Sequence, residues 1–251
     1  MIPRLFGCVC GQFHSPGAGL GMAAARASVP MPFYVIEHDD GIALFDCGVH
    51  SDLANPDDPY SLALRSQDLD VTFEPGETTT SRLQALDIDP ADVRYVIASH
   101  LHFDHAGGLH QLPNATLVVQ RREWDAGHDR EEGSRYFLNR RFFDLGHQLK
   151  LIDGEQDLFG DGAVVCVPSP GHTPGHQSLR IRSDQGDHIL VGDACYNGEA
   201  CQTRQFPEFS DHGTMNRSLD ALLASRAEDT VMIFGHDPSQ WGDKRVLPGT
   251  R

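Results

Sequence analysis

A chain of 251 residues, 39% of them hydrophobic, is long enough to bury a sizeable core without covalent staples. Its formal charge of −16 lacks the basic footprint that a phosphate-backbone partner requires, so no nucleic-acid partner is expected. Cys8, Cys10, Cys47, Cys166, Cys195 and Cys201 show no framework spacing, MIPRLFGCVC offers no export signal, and no run approaches the roughly 18 apolar residues of a membrane span; the expectation is a cytoplasmic protein with reduced thiols.

In chain order, Cys8 and Cys10 read as strand residues rather than a metal pair, and Gly17, Gly19 and Gly21 in GAGLG as a flexible loop with the wrong spacing for a dinucleotide fingerprint. PFYVIEH (32–38) and IALFDCG (42–48) form a hairpin closed at Asp40-Gly41. Residues 51–76 show little periodicity and read as a long loop, a lid or binding segment. TTTSRLQALDIDPADV predicts a helix carrying Leu83 and Leu86 and ending near Pro90, followed by the buried strand VRYVIAS. ATLVVQ (115–120) is a further strand. Residues 121–145 read as helical, with Trp124, Tyr136, Phe137, Phe142 and Phe143 serving mainly as core and in part as pocket lining. VVCVPSPGHTPGH, QSLRIR, HILVGDACY and TVMIFGHD are strand-and-loop segments. Between the last two, a helix over about 211–226 carries Met215, Leu219, Leu222 and Leu223 on one face. With no internal repeat, low-complexity tract or linker, one domain over residues 1–251 is expected.

The stretch SHLHFDHAGG (99–108) places His100, His102, Asp104 and His105 within six positions. In extended geometry alternate residues share a face, so His100 and His102 can chelate one ion, and the turn that follows lets Asp104 and His105 face a second. Three later β-branched runs end in His172, Asp193 and His236. If these strands end at one edge, seven ligands converge there. Two ions roughly 3.5 to 4 Å apart can share a carboxylate and a hydroxide ionised near pH 7, a nucleophile for hydrolysis. His14, His38, His50, His110, His128, His147, His188 and His212 read as surface or satisfied core residues. His176 either steadies a ligand or makes a structural hydrogen bond.

The pattern His100-x-His102-x-Asp104-His105, with His172 in PGHTPGH, Asp193 in VGDACY and His236 in FGHD, resembles the metallo-β-lactamase superfamily from about residue 32 onward. The resemblance implies an α/β fold, an αββα sandwich with the metal site at the strand-end edge. It implies His100, His102 and His172 on one divalent metal, Asp104, His105 and His236 on the other, and Asp193 as the bridge. Zinc is the default occupant of a thiolate-free His/Asp site, with iron, manganese and cobalt as alternatives. Asp193 in place of a cysteine, and no export signal, argue against a secreted antibiotic-degrading enzyme; flavodiiron proteins carry Glu where His102 stands.

Tyr196 in DACY, the SHLHFDHAGG phrase and the ending GHDPSQW…K…P (Lys244, Pro248) resemble the N-acyl homoserine lactonases. That resemblance implies opening of a lactone ring by a bridging hydroxide in quorum quenching. Tyr196 would contact the substrate carbonyl and Asp104 would carry a proton to the leaving oxygen. The acyl tail would lie among residues 12–33, read as a loop, residues 51–76 and the aromatic helices. Residues 8–31 do not align with the family, which leaves open a 4-pyridoxolactonase-like enzyme, a glyoxalase II-like thioesterase, a phosphotriesterase, or a metal-binding protein without turnover. There is no Gly-x-Ser-x-Gly elbow for a serine hydrolase. The partner expected is a small acylated lactone, and a homodimer stays open.

Overall fold

The computed structural model describes residues 2–20, 22, 24–74, 76–241 and 246–247; Gly21, Lys244 and Pro248 lie outside the described residues. The chain opens with two long strands, β1 (Arg4–Pro16) and β2 (Arg26–His38), paired antiparallel from Arg4↔Glu37 to Pro16↔Arg26. Residues 12–33 are therefore mostly sheet rather than the expected loop, and GAGLG contains a short 3₁₀ turn, Gly17–Leu20, between the strands. Cys8 and Cys10 are strand residues, as read. The hairpin to β3 (Gly41–Phe45) is present, with His38 opposite Gly41.

Residues 51–76 also depart from the loop expectation. They hold a 3₁₀ turn, Ser51–Ala54, then helix α1 (Pro59–Arg65) and strand β4 (Asp70–Thr72), which pairs with β1. Asp58 starts α1 by accepting the N–H groups of Tyr60 and Ser61, with Pro59 in the first turn where its missing N–H costs nothing. Helix α2 (Thr79–Gln84) is shorter than its sequence suggested: the chain leaves it before Asp87, whose φ of 61° is left-handed. Leu83 is fully buried all the same.

Next come β5 (Val93–Ile97), the one-turn α3 (Phe103–Ala106), β6 (Thr116–Gln120), α4 (Arg121–His128), α5 (Arg130–Arg135), β7 (Gln148–Ile152) and β8 (Gln156–Asp157). The strands β7 and β8 escaped the sequence reading. The helical stretch after β6 is broken at Asp129, which ends α4 and caps α5. The remainder is β9 (Val164–Pro168), β10 (Gln177–Ser183), β11 (Gly186–Gly192), α6 (Gly198–Thr203), α7 (His212–Ser225), β12 (Val231–Phe234), α8 (Pro238–Trp241) and β13 (Val246–Leu247).

Strand order is β13-β1-β2-β3-β5-β6-β7 in the first sheet, with β4 added on β1, and β12-β11-β10-β9-β8 in the second. Many strands are apolar on both faces because both faces are covered. In β2, Phe33 and Val35 point to the outer core with Leu83 and Leu109, while Tyr34 and Ile36 meet Val164, Leu179 and Leu190 of the second sheet. In β11, Leu190 faces that inter-sheet core, whereas Ile189 and Val191 pack under Leu219 and Leu222 of α7. Met215 and Leu223 complete the stripe predicted for α7. Helices thus cover the outer faces of two stacked sheets, the αββα arrangement expected. Each fully buried Leu, Ile or Phe contributes roughly 1.5–3 kcal/mol of apolar burial. Strands β3, β5, β6 and β7 run parallel, so their carboxyl ends share one edge, where the chain turns into Asp46 and into SHLHFDH. All six cysteines are free and buried. No described helix is long and apolar enough to cross a membrane.

Candidate metal centre

All seven residues singled out from the sequence meet at that edge, and none is more than 9% exposed. The loop after β5 brings His100 and His102, α3 carries Asp104 and His105, the β9–β10 loop brings His172, Asp193 follows directly on β11, and His236 follows β12 after the single residue Gly235. Donor atoms of His100, His102, His172 and Asp193 lie within 4.8 Å of one another, as do those of Asp104, His105 and His236. Asp193 faces both groups: Oδ2 is 3.3 Å from His172 Nε2 and 3.4 Å from His105 Nε2, and Oδ1 is 3.2 Å from His236 Nε2.

Hydrogen bonds behind the rings decide which nitrogens carry lone pairs. His102 Nε2 donates to the carbonyl of Tyr136 (2.6 Å), His236 Nδ1 to that of Pro30 (2.8 Å), and His105 Nδ1 to Asp46 Oδ2 (2.8 Å). Ser99 Oγ donates to Asp46 Oδ2 and so accepts from His100 Nδ1 at 2.9 Å. For His100 and His102, which burial keeps neutral, the nitrogens left facing inward, Nε2 and Nδ1, therefore carry lone pairs. His102 Nδ1 sits 2.8 Å from His100 Nε2, and lone pairs that close repel unless a cation lies between them; His172 Nε2 stands 3.1 Å from the same Nδ1. His105 Nε2 and Asp193 Oδ1 are buried with no hydrogen-bond partner. Burial holds His100 and His172 well below the ordinary histidine range, hence neutral and able to ligate. Burial opposes charge on His105 too, yet the Asp193, Asp104 and Asp46 carboxylates around it raise its pKa well above the ordinary value. This excess of negative charge and inward lone pairs fits divalent cations.

Three supporting residues stand behind the donors. His176 Nε2 accepts the backbone N–H of Asp193 (3.0 Å) and its Nδ1 faces the Ser169 carbonyl (3.0 Å); burial lowers its pKa to about 4, which keeps that acceptor free. Of the two roles open to it, His176 therefore steadies Asp193. Asp46 and Glu123 were missed in the sequence. Asp46 accepts the Ser99 N–H at 2.6 Å besides holding His105. Glu123, buried in α4, accepts the N–H groups of Leu101 (3.0 Å) and Gly175 (2.9 Å) and so ties the His100 loop to the His172 loop. A signal existed for Asp46, a carboxylate ending a buried strand as Asp193 does; none existed for Glu123. Gly235 is required by space: a Cβ there would stand 2.4 Å from Asp193 Oδ1.

Tyr196 stands beside the donors, its ring 5.6 Å from that of His172 and 5.3 Å from that of His236. Burial first, then Asp193 and Asp104, push its phenol well above the ordinary range, so it is a neutral O–H donor. With His102, Asp104, Asp193 and His236 it floors a cavity of about 860 Å³ whose walls are mainly apolar, Phe13, Leu20, Tyr60, Phe103, Phe137 and Phe209 among them. Of the aromatic residues after β6, Phe142 and Phe143 are core and Phe137 lines this cavity.

A two-sheet sandwich with these donors at its strand-end edge defines a class, and the sequence profile of the metallo-beta-lactamase superfamily matches residues 32–236: the chain belongs to that superfamily, a family of divalent-metal-binding folds. Among its relatives, the N-acyl homoserine lactonase AttM of Azorhizobium caulinodans is 35% identical over 90% of this chain and 88% of its own length. The N-acyl homoserine lactonase AiiA of Bacillus thuringiensis subsp. kurstaki is 30% identical over 88% of this chain and 86% of its own length. A solved N-acyl homoserine lactone hydrolase, with the product N-hexanoyl-L-homoserine bound at its catalytic metal center, superposes with a TM-score of 0.82 at 26% identity, covering 96% of this chain and 95% of that one.

Proposed function

We propose that this chain, acting as one hydrolase domain, opens the lactone ring of N-acyl homoserine lactones to the free acid, with two divalent cations, zinc by default, held by His100, His102 and His172 and by Asp104, His105 and His236, and with Asp193 between them. The observation that carries the reading is that Tyr196 shares the floor of one apolar cavity with His102 and Asp193 of one donor group and Asp104 and His236 of the other. Lactonase relatives over most of the chain support it.

When bound, the cations would supply Lewis acidity and lower the pKa of water at the site toward about 7, which makes a hydroxide nucleophile available for the ester carbonyl. The chain's own groups do the rest. Tyr196 donates its phenolic proton into a hydrogen bond with the carbonyl oxygen as negative charge develops there, a contribution that grows in the transition state and so accelerates the reaction. Asp104, a carboxylate on the cavity floor, takes the proton given up by the attacking water and passes it to the ring oxygen as the C–O bond breaks. The apolar walls hold the acyl chain and keep bulk water from competing for these hydrogen bonds. Metal analysis combined with a panel of a homoserine lactone, a thioester, a phosphotriester and a β-lactam tests the assignment. Opening of the lactone with about two metals per chain is expected. A wide preference for the thioester or phosphotriester moves the chain to another branch of the superfamily, and metal without turnover makes it a binding protein.

A further inference from the structure

Helix α5 ends in an unusual way. The N–H of Leu138 bonds the carbonyl of Gly133 (2.8 Å) and the N–H of Phe137 that of Ser134 (3.3 Å), the paired bonds of a Schellman stop. Position 137 is then the left-handed residue, normally glycine, because a Cβ is strained there. Here it is phenylalanine, with φ of 58°. The residue is 55% exposed, so the fold gains little from burying it. The strain and the exposed aromatic surface are both unfavourable for the chain alone, and a ligand that covers the ring would offset them.

The ring's direction says which ligand. Phe137 lies edge-on to Phe209, centroids 5.3 Å apart, and Phe209 in turn packs against His172 (5.2 Å) and His102 (5.8 Å). The residue before it, Tyr136, gives its carbonyl to His102. One turn therefore fixes the orientation of a donor and sets an apolar wall over the cavity above it. Flat hydrocarbon-facing rings with no polar partner suit an alkyl chain.

Resting on the lactonase reading, we infer that Phe137, backed by Phe209, is a specificity-determining residue that grips the acyl chain and makes the enzyme favour long, unbranched acyl homoserine lactones over short ones. The cavity, near the upper end of the roughly 300–1,000 Å³ usual for small-molecule sites, has room for such a chain.

The test uses the metal-loaded enzyme and compares kcat/KM for decanoyl and butanoyl homoserine lactone in wild type, Phe137→Gly and Phe137→Tyr. Each methylene removed from the ring's cover is worth about a fourfold change, so loss of contact with two of them should lower the decanoyl-to-butanoyl ratio of Phe137→Gly about fifteenfold, mainly through KM. Phe137→Tyr should keep the ratio. Glycine relieves the left-handed strain, so Phe137→Gly should also melt about 2–4 °C higher than wild type. A merely structural phenylalanine would not couple higher stability to lost selectivity. Lactone opening with an unchanged ratio in Phe137→Gly, or with no preference for the longer chain in wild type, overturns the inference and leaves the lactonase reading intact. No lactone opening by wild type overturns both.

Discussion

Asp46→Asn isolates the charge behind His105 from every other property of that position. Asparagine has the same shape and tolerates the left-handed backbone, φ 59°, better than most residues, so the main chain is not perturbed. In the wild type Oδ2 takes the His105 Nδ1 proton at 2.8 Å and Oδ1 the Ser99 N–H at 2.6 Å, in a site 3% exposed. A carboxamide has one acceptor oxygen. Turned toward Ser99, it presents an NH₂ to the His105 Nδ1–H, and two donors then face each other. The ring escapes by moving its proton to Nε2, the atom that points at Asp104 and Asp193. Loss of a carboxylate behind a ligating histidine costs about 10- to 100-fold in metal affinity, about 1.4–2.7 kcal/mol. Titration of the metal-free protein with zinc against a chromophoric chelator reads this directly, and a thermal melt without metal checks the fold. One of two equivalents should weaken by that factor while the other holds. If both keep their wild-type affinity in a folded protein, Asp46 does not orient His105.

Tyr196→Phe should leave the metal content unchanged and lower kcat about 10- to 100-fold, since one neutral donor to the developing oxyanion is lost; an unaltered kcat would reduce Tyr196 to packing. Asp193→Asn removes a carboxylate that faces both donor groups. It should release metal and most of the activity, and metal analysis showing full occupancy at normal rate would refute the bridge. Glu123 supplies the pH dependence. Burial pushes its carboxyl up to about 7 from an ordinary 4.5, so the folded chain holds a proton there that the unfolded chain releases. That contribution to stability is complete below about 4.5 and lost as pH rises through about 7. Urea unfolding of metal-free protein at pH values across that window should show Glu123→Gln with a flatter decline than wild type; equal slopes would mean that Glu123 is ionised throughout.

The donors were legible in the sequence because each stands next to its own local signal, the end of a short apolar run followed by glycine or proline. The supporting residues act across the chain: Asp46 on Ser99 and His105, Glu123 on Leu101 and Gly175, over separations of 22 to 59 positions that no spacing rule links. The N-terminal hairpin misled for a different reason. Pro30 and Pro32 argue against a strand, yet they sit opposite Gln12 and Val9, where the ladder of β1 is interrupted by a register shift around Gly11, so their missing N–H groups do little harm. Helix α1 was overlooked although Asp58-Pro59 is a start signal; its seven residues are too few to show a period. Strand β7, at the sheet edge with half its side chains exposed or nearly so, lacks the apolar run that betrayed its neighbours.

The two donor groups straddle the seam between the sheets. His100, His102, Asp104 and His105 come from the first, and His172, Asp193 and His236 from the second, and each group draws on both. A fragment that stopped before β9 would carry four of the donors and no closed coordination set. An ion held there would be a rivet through the sandwich, joining the two layers at the one edge where their strands stop.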